Sequence, residues 1–262
     1  TAYEIMPSLV GSEMCIRDRH LGIAMYSTLP PVIAELISNA WDADAENVYI
    51  ELYDRDPLNK RIIVKDDGIG MSLEDIQQSF LVIGKNRRKE GDITPKKKRK
   101  VIGRKGIGKL SMFGIADEII ITTVKESDNG IRKKNKFKLV LSDIKKAGET
   151  YFPPHEIVDQ ETNEPTGTII EIKKLRRKSP FNAEKIAIDL ARRFLIFDEN
   201  FKVWIKHNDK EPILVTQEMR FEGINIEFEW EFPVSELESK YEYAKEVRGK
   251  IYTAEKPVPE DM

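Results

Sequence analysis

The chain has 262 residues, 40% apolar and 34% charged, with a formal net charge of −2 and one cysteine. That length holds one large domain plus part of another, and a single cysteine permits no intrachain disulfide, which suits a reducing compartment. No apolar run approaches the ~20 residues that cross a bilayer, and the start lacks the charged-then-apolar grammar of a secretory signal, so a cytoplasmic protein without membrane contact is expected.

Residues 1–19 have no clear period. The stretch from Pro7 to Arg19 reads as a translated adaptor string joined to a truncated gene, with a divergent N-terminal arm as the alternative, and no chemistry attaches to Cys15 within it. The segment from Val32 to Ala43 has helical period and is entered through Pro30 and Pro31, the place in a helix where proline is welcome. Glu35, Asn39 and Asp42 fall on one stripe of that helix. Such a stripe can be a solvated face. It can also be chemistry, because a carboxylate positions water and an amide oxygen completes the shell of Mg2+, which wants hard oxygen ligands and keeps most of its own water.

Strands are expected at Asn47 to Leu52 and Arg61 to Lys65, then a helix from Ser72 to Leu81 capped by Ser72. Between them Asp66, Asp67, Gly68, Ile69, Gly70 and Met71 form a turn by default. The alternative is a base site, with Asp66 accepting from an exocyclic amine and Gly68 and Gly70 letting the backbone approach a flat ring. From Lys85 to Lys109 the chain is basic, with runs at Arg87 to Lys89 and Lys96 to Lys100. A solvated lid ranks first for it, contact with phosphate second and DNA third, since no aromatic residues interleave the charges. Gly103, Gly106 and Gly108 lead into a helix expected at Ile107 to Ile115, an arrangement whose N–H groups cradle anions. Its spacing matches neither a P-loop nor a Rossmann turn in context.

Further strands are expected at Glu118 to Lys125, Asn135 to Leu141 and Thr168 to Ile172, then an amphipathic helix over 183–197 from Asn182 and a strand at Lys202 to Lys206. Beyond Gln217 the alternation from Ile224 to Phe232 and the run after Gly249 suggest the opening strands of a second domain. His20, His155 and His207 do not cluster with cysteine, and no zinc site is expected.

From about His20 to about Lys174 this ordered set resembles the nucleotide-binding domain of the gyrase, Hsp-chaperone, histidine kinase and MutL superfamily (GHKL), and within it most closely the bacterial MORC-like and MutL-like ATPases. The resemblance implies the Bergerat fold, an α/β sandwich with helices on one face of a mixed sheet. Its limits would be 20–215 for the ATP-binding domain, 216–262 for the start of a transducer-like second domain, and 1–19 unmatched. It implies ATP and Mg2+ as ligands, Glu35 as general base for the attacking water, Asn39 as the Mg2+ ligand and Asp66 as the adenine-reading carboxylate. Gly70 would lie beside the base, Thr168 would support the water network of Asp66, and Asp42 would have an orienting role. Gly68, Met71, Lys85, Gly103, Lys105, Gly106, Ile107 and Gly108 complete the implied nucleotide contacts. Asn86 departs from the serine common in relatives and bears on lid contacts only.

Two functions follow. In the first, an ATPase closes its lid and forms an ATP-gated homodimer, hydrolysis resetting it; Glu35 favours this. In the second, nucleotide gates an interaction module with little turnover, acting on DNA or a protein client. A sensor kinase is disfavoured, because that branch places an amide where Glu35 stands.

Overall fold

The computed structural model describes residues 28–77, 93–103, 111–146, 153–232 and 249–255. Helix α1 (Leu29–Asp42) opens on prolines at its first turn and buries Val32, Ile33, Leu36, Ile37 and Ala40. Strands β1 (Asn47–Tyr53) and β2 (Arg61–Asp66) follow as an antiparallel pair, and the helix expected from Ser72 begins as α2 (Leu73–Asp75), residues 78–81 of that expectation lying outside the described ones. The expected cap is present there: Ser72 Oγ accepts the Asp75 N–H while Asp75 takes the Ser72 N–H, a reciprocal capping box. Strands β3 (Ala116–Glu126) and β4 (Arg132–Val140), helix α3 (Leu141–Lys146), β5 (His155–Glu161) and β6 (Gly167–Leu175) come next. Helix α4 (Ala183–Arg193), capped by Asn182, then β7 (Lys202–His207) and β8 (Ile213–Leu214) complete the main unit.

Eight strands form one sheet in the order β5-β4-β3-β6-β2-β1-β7-β8, with β1 and β7 parallel and the other pairs antiparallel. Alternate residues are buried along β1, β2, β4, β6 and β7, as a sheet covered on one face requires. The cross-strand rows make the point directly. Ile50, Val64, Ile170, Ile121 and Phe137 are register partners in turn, and so are Leu52, Ile62, Ile172, Ile119 and Leu139, and both rows join one core with the apolar sides of α1 and α4. This is the α/β Bergerat architecture.

The expected strands are all present, most of them longer than expected at one or both ends. Three departures have local causes. The strand expected to run to Leu141 stops at Val140, because Leu141 opens α3 and buries itself with Ile144. Helix α4 ends at Arg193 rather than at 197: Phe194 is extended, and Phe194 and Phe197 turn their rings toward each other at 5.6 Å. Of the helix expected over 107–115, residues 107–110 lie outside the described residues, Ser111 is helical, and Met112–Gly114 tightens to a 3-10 turn as Met112 and Phe113 are buried. Beyond a second 3-10 turn (Gln217–Phe221), β9 (Ile226–Phe232) and β10 (Gly249–Ala254) form a separate two-stranded sheet. No described helix is long and apolar enough to cross a membrane.

Candidate nucleotide site

One row along from those apolar rows, on the same helix-covered side, the side chains become polar. Val48 pairs with Asp66, Asp66 with Thr168, Thr168 with Thr123, and Thr123 with Asn135. Thr168, Thr123 and Asn135 are buried. A buried polar row needs partners, and these residues supply them to one another. Thr123 Oγ1 accepts the Met71 N–H at 2.9 Å, lies 3.2 Å from Gly167 O and is 3.2 Å from the Thr168 hydroxyl. Asn135 exchanges bonds with Asp159.

Asp66 is the last residue of β2. Burial pushes its carboxyl up to about 7, with the neighbouring Asp67 charge adding to the rise, while N–H bonds from Gly68 and Thr168 pull the other way. A carboxyl so placed gains from any further donor that arrives. Asp67 does different work. Its carboxylate takes the N–H groups of Glu46 and Asn47 at 2.7 and 2.8 Å and the Asn47 amide at 2.8 Å, tying the turn to the start of β1.

The glycines answer to the chain itself. A Cβ on Gly70, whose φ is +68°, would stand 2.0 Å from Val124 O, and one on Gly68 would stand 2.7 Å from Ala43 O. A Cβ on Gly167, whose φ is +143°, would stand 2.1 Å from Asp66 O. Gly70 and Gly68 thus make close backbone approaches to Val124 and Ala43. They bring the turn against β3 and against the end of α1.

Glu35 and Asn39 are half-buried on α1, and Asp42 at its last position is buried. The Asp42 carboxylate accepts the N–H groups of Ile102 and Gly103, each at 3.0 Å, and a Cβ on Gly103 would meet Asp42 Oδ2 at 2.5 Å. The structure therefore turns the Gly103 N–H onto Asp42. Lys85, Lys105, Gly106, Ile107 and Gly108 lie outside the described residues.

Of the basic run, residues 93–103 are described, and there Lys96, Lys97, Lys98 and Lys100 are exposed to solvent while the backbone that carries them is fastened. Lys97 pairs with Glu46. Arg99 lies 4.5 Å over the Trp41 ring and 5.7 Å from that of Phe201, and donates to Ala45 O at 2.7 Å and Asn200 O at 3.1 Å. Trp41 Nε1 donates to Lys100 O at 2.9 Å. Residues 93–103 are fastened to the C-terminal end of α1 because two aspartates there collect their backbone donors. Sequence reasoning missed Thr123, Asn135 and Asp44. The available signal was a polar residue inside an apolar strand, and a non-glycine residue at a helix end.

A strand-end carboxyl on a polar row thus lies on the sheet face against which the helix carrying Glu35 and Asn39 packs. Residues 26–168 match the model of the histidine kinase-, DNA gyrase B-, and HSP90-like ATPases. The chain belongs to this family, and membership implies ATP binding. It is 36% identical over 185 residues to a putative type II restriction enzyme, HgiDII of Herpetosiphon aurantiacus, covering 69% of this chain and 28% of that protein. It is 30% identical to chaperone protein HtpG of Rickettsia typhi and 32% identical to that of Nocardia farcinica, over 131 and 130 residues, each 41% of this chain and 20% of the chaperone. The matched stretch is thus less than a third of the length of these relatives.

Proposed function

We propose that this chain binds Mg-ATP and hydrolyses it, with Asp66 reading the adenine amine, Glu35 activating water and Asn39 holding Mg2+. The observation that supports it best is the Asp66 carboxyl, half-buried at the end of β2 in register with Thr168, held there by N–H bonds from Gly68 and Thr168 and with its pKa raised to about 7 by desolvation. An exocyclic amine supplies a further donor. Thr168 and Thr123 fix the geometry around it, and Glu35 and Asn39, one helical turn apart, lie on the helix packed against the same face of the sheet.

Among the described residues no three His, Cys, Asp or Glu side chains converge as a metal cage. The donor set suits magnesium nonetheless, because that ion takes one or two protein oxygens and fills its shell with water and phosphate. When bound it would supply charge against the phosphate oxygens. Asn39 would fix its place, and Glu35 would orient and deprotonate water. Met71, Gly68 and Gly70 are read as the wall beside the base; Lys85, Lys105, Gly106, Ile107 and Gly108 as phosphate contacts. Closure of the lid, ATP-gated homodimerisation and a second domain opening with β9 and β10 belong to the same proposal, with the pinned residues 93–103 as the fixed post of the lid.

The deciding experiment is calorimetry of ADP and a non-hydrolysable ATP analogue on wild type and Asp66→Asn. Both nucleotides are expected to weaken alike, by about 1–3 kcal/mol, the range for a hydrogen bond to a charged group. Equal affinities would remove Asp66 from the adenine role. A second reading, a nucleotide-gated module with little turnover that acts beside DNA, is favoured by the likeness to a putative restriction enzyme. It prevails if turnover of wild type does not exceed that of Glu35→Ala.

A further inference from the structure

Asp44 stands two residues beyond the end of α1 with φ +60°, the left-handed region where glycine is at ease and other residues are strained. It is 5% exposed. Its surroundings account for a carboxylate in that place. Oδ1 accepts the Thr94 hydroxyl and, at 3.1 Å, the Lys97 N–H, while Oδ2 accepts the Lys96 N–H at 2.7 Å. Thr94, 1% exposed, closes the turn by exchanging bonds with Arg99, its Oγ1 accepting the Arg99 N–H at 3.0 Å and its own N–H donating to Arg99 O at 2.8 Å. Burial works against the charge of Asp44, but the bonds from Thr94, Lys96 and Lys97 and the nearby Arg99 outweigh it and keep its pKa below the usual carboxylate value.

With Asp42 holding Ile102 and Gly103, the two aspartates grip both ends of one segment. Strain retained at a buried residue that organises a neighbouring backbone is the pattern of a preorganised site. We infer that Asp44 is a positioning residue of the nucleotide site: it fixes residues 93–103 to the end of the helix that carries Glu35 and Asn39. Gly103, where the glycine-rich sequence begins, then has one place relative to those side chains before any ligand arrives. The inference rests on the ATP-site reading above. Its energetic sense is that a segment ordered in advance does not draw on binding energy to become ordered.

Two variants separate positioning from mere folding. Asp44→Gly suits the left-handed backbone and removes the carboxylate; Asp44→Asn keeps the shape and one acceptor oxygen. Hydrogen exchange without ligand is expected to show protection at Lys96, Lys97, Arg99, Ile102 and Gly103 in the wild type, reduced by about 100-fold in the glycine variant and by less in the asparagine variant. The Kd for a Mg-bound non-hydrolysable ATP analogue should rise by about tenfold in Asp44→Gly, while that for adenosine, which has no phosphate, moves by less than about twofold. If the glycine variant does not fold, Asp44→Asn carries the same comparison with smaller changes. Protection unchanged in both variants, or equal weakening of both ligands, overturns the role of Asp44 alone. A wild type that binds neither ligand overturns the ATP reading itself.

Discussion

Replacing Asp66 by asparagine in the ligand-free protein should change how stability depends on pH. Its folded pKa is raised from 3.8 to about 7. The folded state therefore holds a proton that the unfolded chain releases near 4, and stability falls as pH rises from about 4 through 7. At 1.36 kcal/mol per unit, ionisation of Asp66 costs the fold roughly 4 kcal/mol once the pH is well above 7. Asparagine carries no such cost, although its NH2 faces an N–H on one side, a constant penalty of about 1–3 kcal/mol. The quantity to measure is the difference between variant and wild type, in which every other titrating group cancels. From about pH 5 to pH 8.5 it should move by about 2.5 kcal/mol in favour of the variant. Urea denaturation of both proteins across that range tests it, and two parallel stability curves would refute a carboxyl held protonated by burial.

In the proposed enzyme, Glu35→Ala should retain Mg-ATP binding and lose turnover by ~10²–10⁴-fold, the usual contribution of a general base, read by phosphate release beside calorimetry. Gly70→Ala should destabilise the fold by about 2–5 kcal/mol, combining the left-handed backbone with a Cβ driven into a neighbouring strand; an unchanged denaturation midpoint would contradict the close approach to Val124. His155 is pushed below its ordinary 6.5 by burial, and its Nδ1 has no hydrogen-bond partner. The stability that its neutral form contributes is therefore lost as pH falls below about 6.5, and His155→Phe should flatten the wild-type decline from about pH 6.5 to pH 5, or else burial is not the cause.

The strands of the sheet were legible because β-branched residues crowd them, as from Arg61 to Asp66 and Gly167 to Leu175. Strand β5 was not. It is an edge strand of mixed polarity whose register shifts against β4, with Asp159 at φ +46°, so its partner defines it more than its composition. The polar row was hidden for a related reason: Asp66 and Thr168 were singled out, but only register shows that Thr123 and Asn135 continue them. The basic run was legible as exposed charge, but its attachment was not. What holds it is backbone N–H donated to Asp42 and Asp44 from residues more than fifty positions away, for which no side-chain pattern exists.

The family match ends at residue 168, yet the sheet does not. Strand β1, in the middle of the main unit, has β2 on one side and β7 on the other, and β7 arrives only at Lys202. Asp54 completes that join, its carboxylate bonded to His207, Asn208 and the Phe181 N–H. A chain cut at Leu175 would keep the polar row and expose the β7-facing hydrogen-bonding edge of β1, an invitation to pair with another molecule. The stretch that the family shares is thus shorter than the stretch that pairs the sheet, whose last strand, β8, ends at Leu214.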